Sequence, residues 1–357
     1  MAKMTVGKKL ALGFASVLII LVIVAGVGYN ALKTAANGFR DYRQLAVDTN
    51  MSGQLQANML MTRMKVKDFI IQGTDKYKNQ VDEYSNEMEG FLKKAQVDIK
   101  NKERAAKIDQ VDEIVGDYNK GFSEVVSLQS TRDDLMNVLN VTGKELENKL
   151  SEVMESSGEA QNMQISYNSG KAMKHLLLGR LYVIKFMESN EESAVTRVKE
   201  EFTKFRECLA EIKSQQLSES HLALVKDVES KQKLYVDSFS KMTETIFARN
   251  DIITGTLDRI GPEVAQAVED VKLSIKNEQD EMGPKLAASN KFAVTLIMII
   301  SICAVIFGSA LAFFIARSLV STLTRIISDL SEGSEQVASA SGQVSSASQS
   351  LAEGATE

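Results

Sequence analysis

The chain has 357 residues, a net charge of −5, 25% charged residues, no Trp and only two Pro. The acidic balance gives no footing for nucleic acid, and the scarcity of Pro suits long helices rich in Ala, Leu, Met, Glu and Lys. Of the two cysteines, Cys208 stands alone in the long central segment and Cys303 falls in an apolar run, so no intrachain disulfide framework is expected.

Two apolar runs bound the chain's central segment. Leu10–Tyr29 carries no charge, and neither does Phe292–Ala316. At ~1.5 Å per helical residue each can cross ~30 Å of hydrocarbon. Lys3, Lys8 and Lys9 precede the first run, which is longer than the ~7–15 residues of a cleaved signal sequence, so it reads as an uncleaved anchor. Arg317 and Arg325 follow the second. Positive charge at both outer flanks puts both ends in the cytoplasm and the intervening loop outside. The segments expected are a cytoplasmic 1–9, a first span 10–30, an exported domain 31–290, a second span 291–316, a short linker 317–333 and a coiled coil from 334 to 357.

The exported segment shows helical periodicity from end to end. Tyr77, Val81, Tyr84, Met88, Phe91 and Ala95 recur at spacings of four and three, as do Ile108, Val111, Val115, Tyr118, Phe122 and Val125, and again Val195, Val198, Phe202, Phe205, Leu209 and Ile212. Breaks are expected at Gly73-Thr74-Asp75, Asn101, Ser156-Ser157-Gly158, Ser189-Asn190 and Ser214–Ser220. Six helices follow, over 31–73, 75–100, 102–155, 159–189, 192–214 and 217–290. Gly261-Pro262 and Gly283-Pro284 are expected to kink the last. The second and fifth helices span ~39 and ~35 Å, whereas the third spans ~80 Å. The fold class is therefore all-α, with two stacked four-helix bundles sharing the long third and sixth helices.

The exported segment is also duplicated. Arg63, Tyr118 and Arg132 return as Arg180, Tyr235 and Arg249, since 180 − 63, 235 − 118 and 249 − 132 all equal 117. From 63 to 135 this shift gives 13 identities in 73 positions, including Val66/Val183, Phe69/Phe186, Val111/Val228 and Phe122/Phe239. Repeated apolar residues are what any duplicated core keeps. A repeated tyrosine and two repeated arginines are not, because an interior guanidinium needs an anion. Counting along the helices groups Arg63, Tyr118 and Arg249 in the membrane-proximal bundle, and Arg180, Tyr235 and Arg132 in the distal one. Two readings stay open: ion pairs to acids on facing helices, or recognition of a carboxylate by guanidinium and phenol. Two arginines would suit a dicarboxylate.

His175 and His221 lack partners at metal-ligand spacing, and no HExxH, GxGxxG, phosphate-binding loop or catalytic triad pattern occurs, so neither enzyme activity nor a metal or cofactor is expected. In the tail Leu330, Val337, Val344 and Leu351 recur every seven residues, with Gly333, Ala340, Ala347 and Gly354 at the partner position, as in a close-packed coiled coil.

Two spans around a large duplicated helical loop resemble the helical bimodular sensor domain of bacterial chemoreceptors. The tail, Ser334 to Val344 and Leu351 to Glu357, resembles the start of their methyl-accepting coiled coil. The resemblance implies a two-pass, inner-membrane homodimer that binds small organic acids and controls a cytoplasmic histidine kinase through an adaptor protein. Between Leu319 and Gly333 the proline-marked HAMP relay usual in such receptors is absent, leaving a short HAMP-like linker. The alternatives are a sensor kinase or other transducer with the same input domain, and a structural coiled-coil membrane protein without a ligand.

Overall fold

The computed structural model describes residues 5–355, and all regular structure among them is helical. The elements are α1 (Val6–Gln72), α2 (Asp75–Asp98), α3 (Lys102–Glu159), α4 (Met163–Ser189), α5 (Glu192–Lys213), α6 (Glu219–Ile252), a π-helical turn (Ile253–Leu257) and α7 (Asp258–Gly354). The chain divides into two compact units, Val47–Ile275 and Met1–Ala46 with Lys276–Glu357.

Within Val47–Ile275 the expected two bundles are present. The end of α1, α2, the first half of α3 and the start of α7 form the first module. The second half of α3 with α4, α5 and α6 forms the second. The apolar seams fill both interiors: Leu55, Met59, Val81, Met88, Leu92, Ile108 and Val115 in one, Leu146, Leu150, Leu176, Phe205, Ile212 and Val228 in the other. Each module contains the same edge-to-face aromatic pair. Phe69–Phe122 has centroids 5.4 Å apart at 77°, and Phe186–Phe239 has them 5.7 Å apart at 79°.

The repeat extends to the helix ends. Gly73 (φ 65°) closes α1 and Asn190 (φ 56°) closes α4, 117 residues on, each with its amide donating to the Phe carbonyl four residues earlier at 2.7 Å. Glycine and asparagine are the residues that tolerate this left-handed closure. Asn101 caps α3 by accepting from the amides of Glu103 and Arg104, and Ser218 caps α6 by accepting from that of His221. The caps also fix two contacts to the fourth helix of each bundle. Arg104 Nε donates to Ser274 Oγ at 3.0 Å, and His221 Nε2 lies 3.0 Å from Ser156 Oγ.

One sequence expectation is corrected. Ser156-Ser157-Gly158 does not break the chain. Both serine hydroxyls bond back to carbonyls of the preceding turn, α3 continues to Glu159, and the reversal falls at residues 160–162 with Gln161 at φ 59°. Neither Gly-Pro pair interrupts α7. The departure from α-helical hydrogen bonding is the π turn at Ile253–Leu257, one turn before Gly261.

One buried charge is well matched. Glu201 on α5 is 1% exposed and receives His175 Nδ1 at 2.7 Å and Arg197 Nη2 at 3.0 Å, with Lys204 at 3.7 Å. Burial pushes its carboxyl up, but the His175 hydrogen bond and the neighbouring cations outweigh this and leave it below the usual value.

In the other unit, α1 and α7 each carry a stretch long and apolar enough to cross a membrane. The two helices approach closely at Gly13, where an added methyl would collide with Ile315, and Lys9 Nζ bonds Ser318 Oγ at 2.9 Å. Side chains such as Leu18, Val22, Phe313 and Phe314 point outward, an arrangement that suits hydrocarbon. In the tail Leu330, Val337, Val344 and Leu351 form an exposed apolar seam.

Phe122→Ala and Phe239→Ala remove equivalent buried rings, so each should cost about 3–5 kcal/mol in chemical denaturation. A loss below about 1 kcal/mol at either position would contradict the packed aromatic pair.

Candidate functional site

The six repeated residues form three groups, not two. On α3, Tyr118 is 2% exposed and lies in the field of Arg63 from α1. Gly261 of α7 completes the group, and a methyl there would fall 2.7 Å from Arg63 Nε. In the second module Tyr235 of α6 is likewise 2% exposed and faces Arg180 of α4. Here Gly143 of α3 closes the site, with an added methyl 3.0 Å from Arg180 Nε and 3.2 Å from the Tyr235 ring. The shared unit is thus Arg–Tyr–Gly, with the glycine letting a guanidinium lie against helix backbone.

The remaining pair, Arg132 and Arg249, sits elsewhere. Arg249 is 8% exposed and donates to Gln129 Oε1 at 2.7 Å and to Asn250 Oδ1 at 2.9 Å. Arg132 bonds Asp133 through the same nitrogens with which Arg249 bonds Asn250. Burial first, and then the charge of Arg132, lower the proton affinity of Arg249. Arg249 is therefore beside Arg132, not with Arg63 and Tyr118, and Arg132 is not with Arg180 and Tyr235. The reason is length along the helix. Twelve residues separate Arg249 from Gly261 and eleven separate Arg132 from Gly143, about 16–18 Å in each case. The sequence reading missed Gly143, Gly261 and Gln129. The glycines could have been found by continuing the repeat past Arg132 with one residue added to the shift.

The two Arg–Tyr–Gly groups differ electrostatically. Arg180 Nη1 donates to Glu147 Oε2 at 2.9 Å, both side chains being partly exposed. The residue equivalent to Glu147, four after the site glycine, is Ala265 in the first module. Half-buried Arg63 accordingly has no hydrogen-bond or ion-pair partner among the described residues. Neither phenol has a hydrogen-bonding partner there either. Burial raises Tyr118 above the ordinary tyrosine range, opposed by Arg63, and pushes Tyr235 up to about 12, opposed by Arg180. Each phenol therefore remains a neutral hydroxyl donor beside a permanent cation, a pair that can serve a carboxylate with two kinds of hydrogen bond. Among the described residues no group of three or more His, Cys, Asp or Glu could hold a metal ion.

The phenol also sets an alkaline limit. Tyr235 ionises near 10 when unfolded and about 12 when folded. Its contribution to stability is intact below about pH 10 and is lost as pH rises from there to about 12. Tyr235→Phe should make that part of the stability–pH curve shallower by ~1.4 kcal/mol per pH unit. An unchanged slope in melts between pH 10 and 12 would show that this phenol is not buried.

Residues 3–176 match a family described as a four helix bundle sensory module for signal transduction. The match takes in the whole of α1, α2 and α3 and ends inside α4. No curated protein matches the chain. The all-helical bundles, the two apolar helical stretches and this match agree with a signal-transduction sensory module of the chemotaxis-receptor kind, matched over residues 3–176.

Proposed function

We propose that the chain is the input part of a two-pass bacterial inner-membrane receptor that senses small organic acids outside the cell. It passes the signal through the coiled coil to a histidine kinase by way of an adaptor protein. The observation that carries this reading is Arg63: a half-buried guanidinium with no ion-pair partner among the described residues, set beside a buried neutral phenol. A structural ion pair would have supplied a partner, as Glu147 does for Arg180. Duplication favours ligand recognition too, because core packing requires a repeated tyrosine ring but not a repeated cation over it.

A second copy of the chain is the partner proposed for the receptor. Leu60 and Met64 of α1 are exposed, and so are Leu177 and Leu181 of α4, their equivalents 117 residues on. With the exposed heptad seam of the tail, these faces fit helix pairing about a twofold axis.

Two measurements test the proposal. With the full chain in lipid nanodiscs, a thermal-shift screen of mono- and dicarboxylates should find acids that raise the melting temperature. Arg63→Ala should weaken binding of those acids by ~10- to 150-fold, equivalent to ~1.5–3 kcal/mol, with little change in ligand-free stability. A lowered melting point with unchanged acid response would instead make Arg63 structural. For topology, in a background lacking Cys208 and Cys303, an impermeant thiol reagent should label a cysteine at position 102 in intact cells but not one at 334. Labelling at 334 would overturn the hairpin.

A further inference from the structure

The two copies of the repeat align at a shift of 117 up to Arg132/Arg249, and at 118 beyond the π turn. At 118 the buried residues Leu139, Leu146, Leu150 and Val153 of α3 coincide with buried Leu257, Val264, Val268 and Val271 of α7. At 117 the last three would coincide with Glu263, Ala267 and Asp270, and the two carboxylates cannot fill an apolar interior. Polar contacts show the same step. Arg104 and His221 are 117 apart, but the serines they reach, Ser156 and Ser274, are 118 apart. Arg63 and Arg180 are 117 apart, and Gly143 and Gly261 are 118 apart. One residue has entered the second copy, and Ile253–Leu257 is where the helix widens to hold it.

That turn packs beside the Arg63–Tyr118 group. A methyl at Gly121, one turn along α3 from Tyr118, would meet Thr256 Cγ2 at 3.0 Å and Ile252 Cγ2 at 3.6 Å. The second module has Ser238 at the position of Gly121 and Val138 at that of Thr256. The hydroxyl-bearing residue one turn from the tyrosine is thus on the third helix in the second module, whereas in the first it is Thr256 of the π turn, with its Cγ2 against Gly121. Thr256 is a half-buried residue, and its hydroxyl has no hydrogen-bond partner among the described residues.

We infer that the π turn is a one-residue insertion that sets the ligand selectivity of the Arg63–Tyr118 group apart from that of the Arg180–Tyr235 group, through Thr256 opposite Gly121. The selectivity part rests on the carboxylate reading above; the insertion part does not. The test deletes Gly255, which is exposed and where an added methyl would meet nothing within 4 Å, from the full chain in nanodiscs. Because α7 keeps its place, the melting temperature should stay within ~4 °C of the parent, whereas deleting Gln266, outside the turn, should lower it by more than ~10 °C. Among acids whose stabilisation depends on Arg63, the deletion of Gly255 should change the rank order. Among those depending on Arg180 the order should stay the same. If deleting Gly255 is as damaging as deleting Gln266, there is no inserted residue. A tolerated deletion with an unchanged Arg63-dependent order would overturn the selectivity role. If no acid stabilises the parent chain, the carboxylate reading and the selectivity role fall together, and the two melting points still decide the insertion.

Discussion

A helix shared by two bundles in succession must keep its apolar seam in phase along its whole length. A straight α-helix drifts ~20° against a strict seven-residue repeat with every heptad, so phase is held only if the bundles supercoil or the helix is locally rewound. α3 follows the first course. Ile108, Val115, Phe122, Gln129, Gly143, Leu150 and Ser157 all fall on one heptad position, unbroken through both modules. The helix opposite follows the second course. Tyr235, Met242 and Arg249 keep the sevens, the π turn adds one residue, and Leu257, Val264 and Val271 resume them. Gln129, Tyr235, Arg249 and the two site glycines are placed by these two phases.

What the copies have kept and what they have changed separate packing from chemistry. The edge-to-face phenylalanines, the left-handed helix closures and the side-chain caps persist even where identity is lost, as in Gly73/Asn190 and Asn101/Ser218. Those positions answer to backbone geometry, and several residue types satisfy it. The charged partners have diverged instead. Asp133 in one copy is Asn250 in the other, and Glu147 is Ala265. Both changes remove an anion from beside an arginine that was retained. Losing the acid while keeping the base leaves an interior cation uncompensated, which a purely structural role would select against.

The fold was legible because period and length are strong signals: six helices, two of them too long for a single bundle, allow few arrangements. Arg63/Tyr118 and Arg180/Tyr235 were legible because the repeat preserves them. The grouping of Arg132 and Arg249 was not, because it was counted from predicted turns whose errors of one or two residues at each helix end add up over several helices. Gly143 and Gly261 were silent for a different reason. Their role is the absence of a side chain where a guanidinium approaches, and one extra residue between the copies hid their equivalence. Ser156 and Ser157 misled because serine suits turns, whereas here both hydroxyls return to their own helix and to His221.

The Arg180–Glu147 pair has a consequence for dose. On the carboxylate reading proposed above, an acid arriving at Arg180 would meet a carboxylate tethered to the same bundle, present at the millimolar or higher effective concentration of a short link. Among the described residues Arg63 has no such resident competitor. Two copies of one recognition unit would then fill in sequence as the acid accumulates, the first at low concentration and the second only after its own glutamate is displaced. A single chain built in this way spreads its response over a wider range of concentration than either unit alone.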